Sequence, residues 1–415
     1  MSVSDFTGPT ISVVIVSRDR PDSLIWCLRG IDGLDYPAFE VIVVACPAGS
    51  AAVERAGLAG RVKLIKFDEA NIAAARNLGI AAAAGEVVAF IDDDAVPEPT
   101  WLRYLAQPFG DASIASVGGF VRGRNGISFQ WKAREVDEGG EARPLTVDET
   151  RFSVPETTLG WAIKTEGTNM AVRRDVLTNM GGFDAGYRFY LDETDLNLRL
   201  ARSGARVAIA PQAQVHHAYA PSARRKANRA VTDLREIGAS TAYFLRRHCP
   251  SEQHGKRLNT MVQEQRMRVF DQIRARRLPK GELGPLMQGL KDGIEEGKQR
   301  SLALLEPVLS PNSPFLPFVP ARRGGGAVLA GRIWQARRLR QEARVRAQAG
   351  ENVTLFLFGP SPRAHRVRFR DDGYWEQNGG LFGRSTREGR FFQLTSFAAR
   401  LARERKRVAS VRALR

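Results

Sequence analysis

The chain has 415 residues, 43% of them hydrophobic and 26% charged, with 39 Gly and 21 Pro. This composition suits two or three globular domains and excludes a collagen-like, disulfide-scaffold or wholly disordered chain. The net charge of +17 is uneven: residues 1–222 hold 22 Lys+Arg against 28 Asp+Glu, whereas residues 223–415 hold 40 against 17.

In chain order, the β-branched run Ile11–Val16 is bounded by Pro9 and the polar Ser17–Arg20, as a strand covered on both faces would be. Asp19 or Asp22 is placed to cap the helix that follows, with Pro21 in its first turn. Phe39–Val44 and Val62–Phe67 read as the second and third strands, with an alanine-rich helix from about Asn71 to Ala84 stopped by Gly85. Val87–Ile91 is a fourth strand running into Asp92, Asp93 and Asp94. Alternating β and α segments at this spacing predict a doubly wound α/β sheet, whose ligands bind beyond the carboxyl ends of the strands.

Three carboxylates at such a strand end are poorly placed for stability alone. Alternation along extended backbone turns Asp92 and Asp94 one way and Asp93 the other. Two hard oxygen donors at that spacing suit Mn2+ or Mg2+ on phosphate oxygens. A second acidic group, Asp192-Glu193-Thr194-Asp195, opens a helix ended by Gly204. Asp192 and Asp195 have the spacing of an N-terminal cap, the reading favoured for Asp195, which leaves Glu193 as a general-base candidate. The short strand Val207–Ala210 is followed by His216 and His217, a pair that suits metal ligation in a chain with five histidines.

This ordered set (ISVVIVSRDRP, FEVIVV, NIAAARNLGIAAAAGEVVAFIDDDAVPEPTW, GTNMAVRRDVL, GGFDAGYRFYLDETDLNLRLARSG and VHH) resembles the family-two glycosyltransferases of the GT-A fold over about residues 8–222. The resemblance implies a GT-A-type α/β domain that moves a sugar, with inversion, from a nucleotide-diphosphate sugar to an acceptor hydroxyl with Mn2+ or Mg2+. It places Ser17, Asp19, Arg76, Asn77, Asp92 and Asp93 on the donor side. Asp92, Asp94 and His217 fall on the metal side, with His216 one residue off. Asp192-Glu193 occupies the family's Glu-Asp pair with the acids exchanged, so Glu193 takes the base position and Asp192 is its rival. Two departures border the nucleobase pocket: Ser17-Arg18-Asp19 replaces the usual Thr-Tyr-Asn, and Ala45-Cys46 stands where an Asp is usual. The implied acceptor is a glycan or its lipid-linked precursor, in cell-envelope or exported polysaccharide synthesis.

Residues 223–309 read as a basic helical extension, 310–330 as a linker and 331–415 as a basic region with a small β unit around the Asp372-Gly373 turn. The charge excess there suggests an anionic partner such as a membrane surface, or a solvated helical scaffold. Basic residues are not interleaved with aromatics, which argues against nucleic acid. The rival to catalysis is a non-catalytic module that binds nucleotide sugar or an anionic polymer. Cys27, Cys46 and Cys249 form no CxxC pair and are expected as buried thiols. No apolar run approaches the ~18 residues of a membrane span, and MSVSDFTGPT carries no signal-peptide pattern. The expectation is a cytoplasmic protein, soluble or peripheral at the inner face of the membrane.

Overall fold

The computed structural model describes residues 8–218, 220–302, 304–308, 313–322 and 325–414. The first half runs β1 (Ile11–Ser17), α1 (Pro21–Ile31), β2 (Phe39–Ala45), α2 (Pro47–Arg55), β3 (Lys63–Lys66), α3 (Ile72–Ala82), β4 (Val87–Phe90), β5 (Ala95–Pro97) and α4 (Trp101–Ala106). It continues with β6 (Ile114–Arg122), β7 (Phe129–Trp131), β8 (Arg134–Asp137), β9 (Ala142–Pro144), β10 (Trp161–Lys164), β11 (Met170–Arg173), α5 (Arg174–Asn179), α6 (Asp192–Arg202) and β12 (Arg206–His217).

Nine of these strands share one mixed sheet in the order β3-β2-β1-β4-β11-β6-β12-β5, with β7 beside β6. The first four are parallel, β11 is antiparallel to both neighbours, and β5 is antiparallel to β12. β1 and β2 are almost wholly buried because apolar clusters pack on both faces of the sheet. Gly85 is required where the chain turns into β4: a Cβ there would lie 2.7 Å from the Ser12 backbone nitrogen. α3 is capped by Asn71, whose side chain accepts from the Ala74 N–H. The expected cap of α1 by Asp19 or Asp22 does not form. Arg20 holds the cap position with no side-chain bond, and Asp19 sits in the left-handed region at φ 59°. Likewise Asp195 caps nothing; it lies buried inside α6, paired with Arg199 at 2.8 Å and His248 at 2.7 Å.

The second half comprises α7 (Arg235–His248), α8 (Ser251–Arg274), α9 (Leu283–Gln299), β13 (Ala327–Arg332), α10 (Ala336–Gln348), β14 (Val353–Gly359), β15 (Arg366–Phe369), β16 (Trp375–Gly380) and α11 (Phe397–Arg412). Its strands form a separate sheet, β13-β14-β16-β15, in which β15 and β16 flank the turn at Gly373. Where it is described, the stretch expected as a linker is fastened to the first half. Phe318 is buried against Phe39 with ring centroids 5.4 Å apart, and the Leu316 N–H reaches buried Glu40 at 2.9 Å.

Several basic side chains of the second half are paired within the fold. Arg300 meets Glu236 at 2.9 Å, Arg340 meets Glu376 at 2.8 Å, Arg400 meets Glu404 at 3.1 Å and Arg412 meets Glu98 at 2.9 Å. These pairings lend no support to the expectation of an anionic membrane surface. Among the described residues no helix is long and apolar enough to cross a membrane. The three cysteines are free thiols and buried.

Candidate active site

The carboxyl end of β4 delivers Asp92 and Asp94 to the last residue of β12, His217. One ligand atom from each lies within 4.8 Å of the others. The His217 Nε2 is 3.1 Å from Asp94 Oδ1, and its Nδ1 is 3.1 Å from Gln130 Oε1. Asp94 Oδ2 accepts the Ala220 N–H at 2.7 Å and meets Arg20 at 3.3 Å. Burial works against the charge of Asp94, but His217, Arg20 and the Ala220 N–H together hold its carboxyl well below the usual range. Burial likewise lowers His217, and Asp94 outweighs it, so the imidazole is raised overall. Two carboxylates and an imidazole in this arrangement fit a divalent cation.

Asp93 points the other way and is fully buried. It accepts the Ser17 hydroxyl at 2.7 Å and meets Arg20 at 2.5 Å. Burial pushes its carboxyl up to about 7 against the pull of Arg20. Ser17 and Asp93, both expected to face a donor, are therefore turned into the scaffold and toward each other. Asn77 is also engaged elsewhere: it donates to the Phe183 carbonyl at 2.7 Å and accepts the Phe183 N–H at 2.8 Å. Asp19 remains exposed at the end of β1, with its backbone N–H on Cys46 Sγ at 3.3 Å. Asp19, Cys46 and Asp68 also bring their donor atoms within 4.8 Å, but Arg18 pairs with both carboxylates, at 3.7 and 3.4 Å.

Arg76 projects from α3 into the interior, 4% exposed, and joins the two acidic groups. One nitrogen bonds Asp192, and the other lies 3.4 Å from Asp92 and 3.3 Å from the Gly167 carbonyl. α6 starts directly after two non-glycine residues in the left-handed region, Tyr190 at φ 75° and Leu191 at φ 68°. That unfavourable turn aims the first two carboxylates of α6 inward. Asp192 is sealed against Arg76, whereas the Glu193 side chain keeps 20% exposure and meets Lys164 Nζ at 2.9 Å. Lys164, the last residue of β10, also donates to Thr194 Oγ1 at 2.8 Å. Burial and the neighbouring Glu193 push Asp192 up; burial also acts on Glu193, but Lys164 holds it down and ionised.

Behind the metal-type cluster, His216 faces away from Asp94. Its Nε2 lies 2.8 Å from Glu98, and its ring packs on Trp375 with centroids 4.5 Å apart. Burial takes it down to about 4, so it is neutral at pH 7. Sequence reasoning favours His217 over His216 as the metal-side histidine, and His217 is the one that lies with Asp92 and Asp94. Sequence reasoning does not single out Arg20 or Lys164. Arg20 could have been noticed as a cation directly after a strand that faces acids, and Lys164 as the charge that closes the apolar run Trp161-Ala-Ile.

Residues 9–239 match the family model of glycosyltransferase like family 2, more than half of the chain, and the chain belongs to that family. Membership agrees with the GT-A-type mixed sheet described above. The chain is 28% identical over 242 residues to the O-antigen biosynthesis protein RfbC of Myxococcus xanthus, covering 53% of this chain and 18% of that protein. It is 29% identical over 224 residues to the pre-mycofactocin glycosyltransferase of Mycobacterium tuberculosis, covering 51% of this chain and 44% of that one. It thus spans less than half the length of either relative. A crystal structure of GalNAc-T7 with UDP, GalNAc and Mn2+ aligns at a TM-score of 0.45 and 18% identity, over 58% of this chain and 48% of that one.

Proposed function

We propose that this chain is an inverting glycosyltransferase that moves a sugar from a nucleotide-diphosphate donor to an acceptor hydroxyl. The observation that carries this reading is the guanidinium of Arg76, which ties Asp92 of the cation-type cluster to Asp192 beside Glu193. The cation-type cluster and the acidic pair that opens α6 are thereby held together by the two terminal nitrogens of one guanidinium. In this reading Asp92, Asp94 and His217 hold Mn2+ or Mg2+, which when bound offsets the negative charge building on the leaving nucleoside diphosphate.

Glu193 is the accessible, ionised carboxylate and takes the acceptor proton as the hydroxyl attacks in line. Lys164 fixes its orientation, and Asp192 keeps Arg76 in place. Arg20 and Ser17 hold the Asp93–Asp94 turn from behind, and Asp19 lies at the edge of the donor pocket. The relative named for O-antigen biosynthesis supports a glycan or lipid-linked glycan acceptor in envelope or exported polysaccharide synthesis.

The test is nucleotide release from a panel of UDP-, GDP-, dTDP- and CMP-sugars with Mn2+, on the wild type, Asp94→Ala and Glu193→Gln. Release from one donor, dependent on Mn2+ and lost in both variants, supports the reading. Donor binding without release in the presence of candidate acceptors, or release that survives both substitutions, overturns it in favour of a binding module.

A further inference from the structure

We propose that Arg412, near the end of the chain and outside the family match, is a positioning residue for the Asp94–His217 pair. The proposal rests on the metal-binding reading of those residues given above.

Asp94 and His217 come from opposite sides of one antiparallel contact. β5 leaves Asp94 and pairs with the end of β12, with Ala95 opposite His217, Val96 opposite His216 and Pro97 opposite Val215. The 3.1 Å approach of His217 to Asp94 therefore depends on how β5 is held against β12. The hold is made on the far face by Glu98, 1% exposed, one residue past β5. One of its oxygens meets His216 Nε2 at 2.8 Å. Arg412 grips both oxygens, with Nε at 2.9 Å and Nη2 at 3.1 Å.

Arg412 is itself 2% exposed, and its guanidinium lies 4.6 Å from the centroid of Trp375, the ring that packs on His216. α11 grips the same segment through its backbone, since the Val411 carbonyl accepts the Thr100 N–H at 3.2 Å and its hydroxyl at 2.9 Å. A bidentate arginine fixes the plane of a carboxylate as well as its charge. Glu98 is thus fixed in position and angle by the C-terminal helix, and it fixes the two strand ends that present the cation ligands. Groups that hydrogen-bond a metal's direct ligands are worth about 10–100-fold in metal affinity, and a hold that acts one step further back, through the strand ends, falls at the lower end of that range.

The experiment uses the full chain as wild type, Arg412→Gln, Arg412→Lys and Glu98→Gln. Folding is followed by circular dichroism and thermal unfolding, and Mn2+ affinity by the electron paramagnetic resonance signal of free Mn2+ with and without UDP. Donor hydrolysis is then compared at low and saturating Mn2+. The expected result is a folded Arg412→Gln protein with Mn2+ binding weakened about tenfold, turnover largely recovered at saturating Mn2+, and Arg412→Lys in between. A folded Arg412→Gln that binds Mn2+ within about twofold of wild type overturns the proposal even if its melting temperature falls, because Arg412 is then structural only. If Arg412→Gln does not fold, unchanged Mn2+ affinity in both Arg412→Lys and Glu98→Gln overturns it equally. A wild-type chain that binds no Mn2+ removes the metal reading itself, a result distinct from normal wild-type binding with unaltered variants.

Discussion

Replacing Lys164 by methionine keeps the length of a buried side chain and deletes the charge that holds Glu193 ionised. The ammonium lies 2.9 Å from the carboxylate, and at an effective dielectric of ~20 that separation corresponds to about 6 kcal/mol of attraction. Glu193 retains 20% exposure, so solvent screens part of this. Opposite charges at such range ordinarily move a carboxyl by about 1–3 pKa units, or about 1.4–4 kcal/mol. The sign is set by the direction of the present shift. The Glu193 carboxyl is held low, and its ionised form is the proposed base, so wild-type kcat/KM should stay level well into the acid range. Without Lys164 the pKa rises, and the acid limb of the profile moves to higher pH by about 1–3 units. The assay is nucleotide release with donor and acceptor across the pH range, beside a carboxyl 13C titration of Glu193 in the folded variant. A folded, active Lys164→Met protein with an unmoved limb refutes Glu193 as the base.

Asp94→Ala should abolish turnover and the Mn2+ dependence of donor binding, with a stability loss of about 1–3 kcal/mol from the hydrogen-bond partners it strands; urea unfolding checks the second part, and retained turnover counts against the ligand role. Gly79→Ala should destabilise by about 1–3 kcal/mol without changing donor affinity, because the new Cβ would lie 2.4 Å from Val14 Cγ1 where α3 crosses β1. Phe318→Ala should cost about 3–5 kcal/mol in thermal or urea unfolding, since Phe318 is 3% exposed beneath Arg61; a loss under ~1 kcal/mol would mean that the 313–322 stretch is not fastened to the sheet.

The first half was legible because its signals are local. β-branched runs between Pro, Gly and polar residues specify buried strands, and the side-chain period of two separates Asp93 from Asp92 and Asp94 before any contact is known. Three carboxylates after an apolar strand, and a second acidic cluster opening a helix, are likewise readable in one dimension. Local signals also misled. Asp19, Asp22 and Asp195 stand at cap-like spacings, yet the backbone at Asp19 is left-handed and Asp195 is drawn to Arg199 and His248. Ser17 and Asn77 look available in sequence and are occupied in space.

The sequence by itself determined the first four strands along the chain, the acidic clusters and the family resemblance, because each depends on residues close together along the chain. Only the tertiary structure decided which partner each charge meets. Arg76 joins carboxylates 16 and 116 residues away, Lys164 reaches Glu193 across 29, and Arg412 reaches Glu98 across 314. The basic half showed the same limit. Net charge counts arginines without locating them, and burying a guanidinium is costly unless the fold brings it acceptors, most effectively a carboxylate. Arg400 and Arg412, counted in sequence toward a basic surface, are for that reason interior residues here.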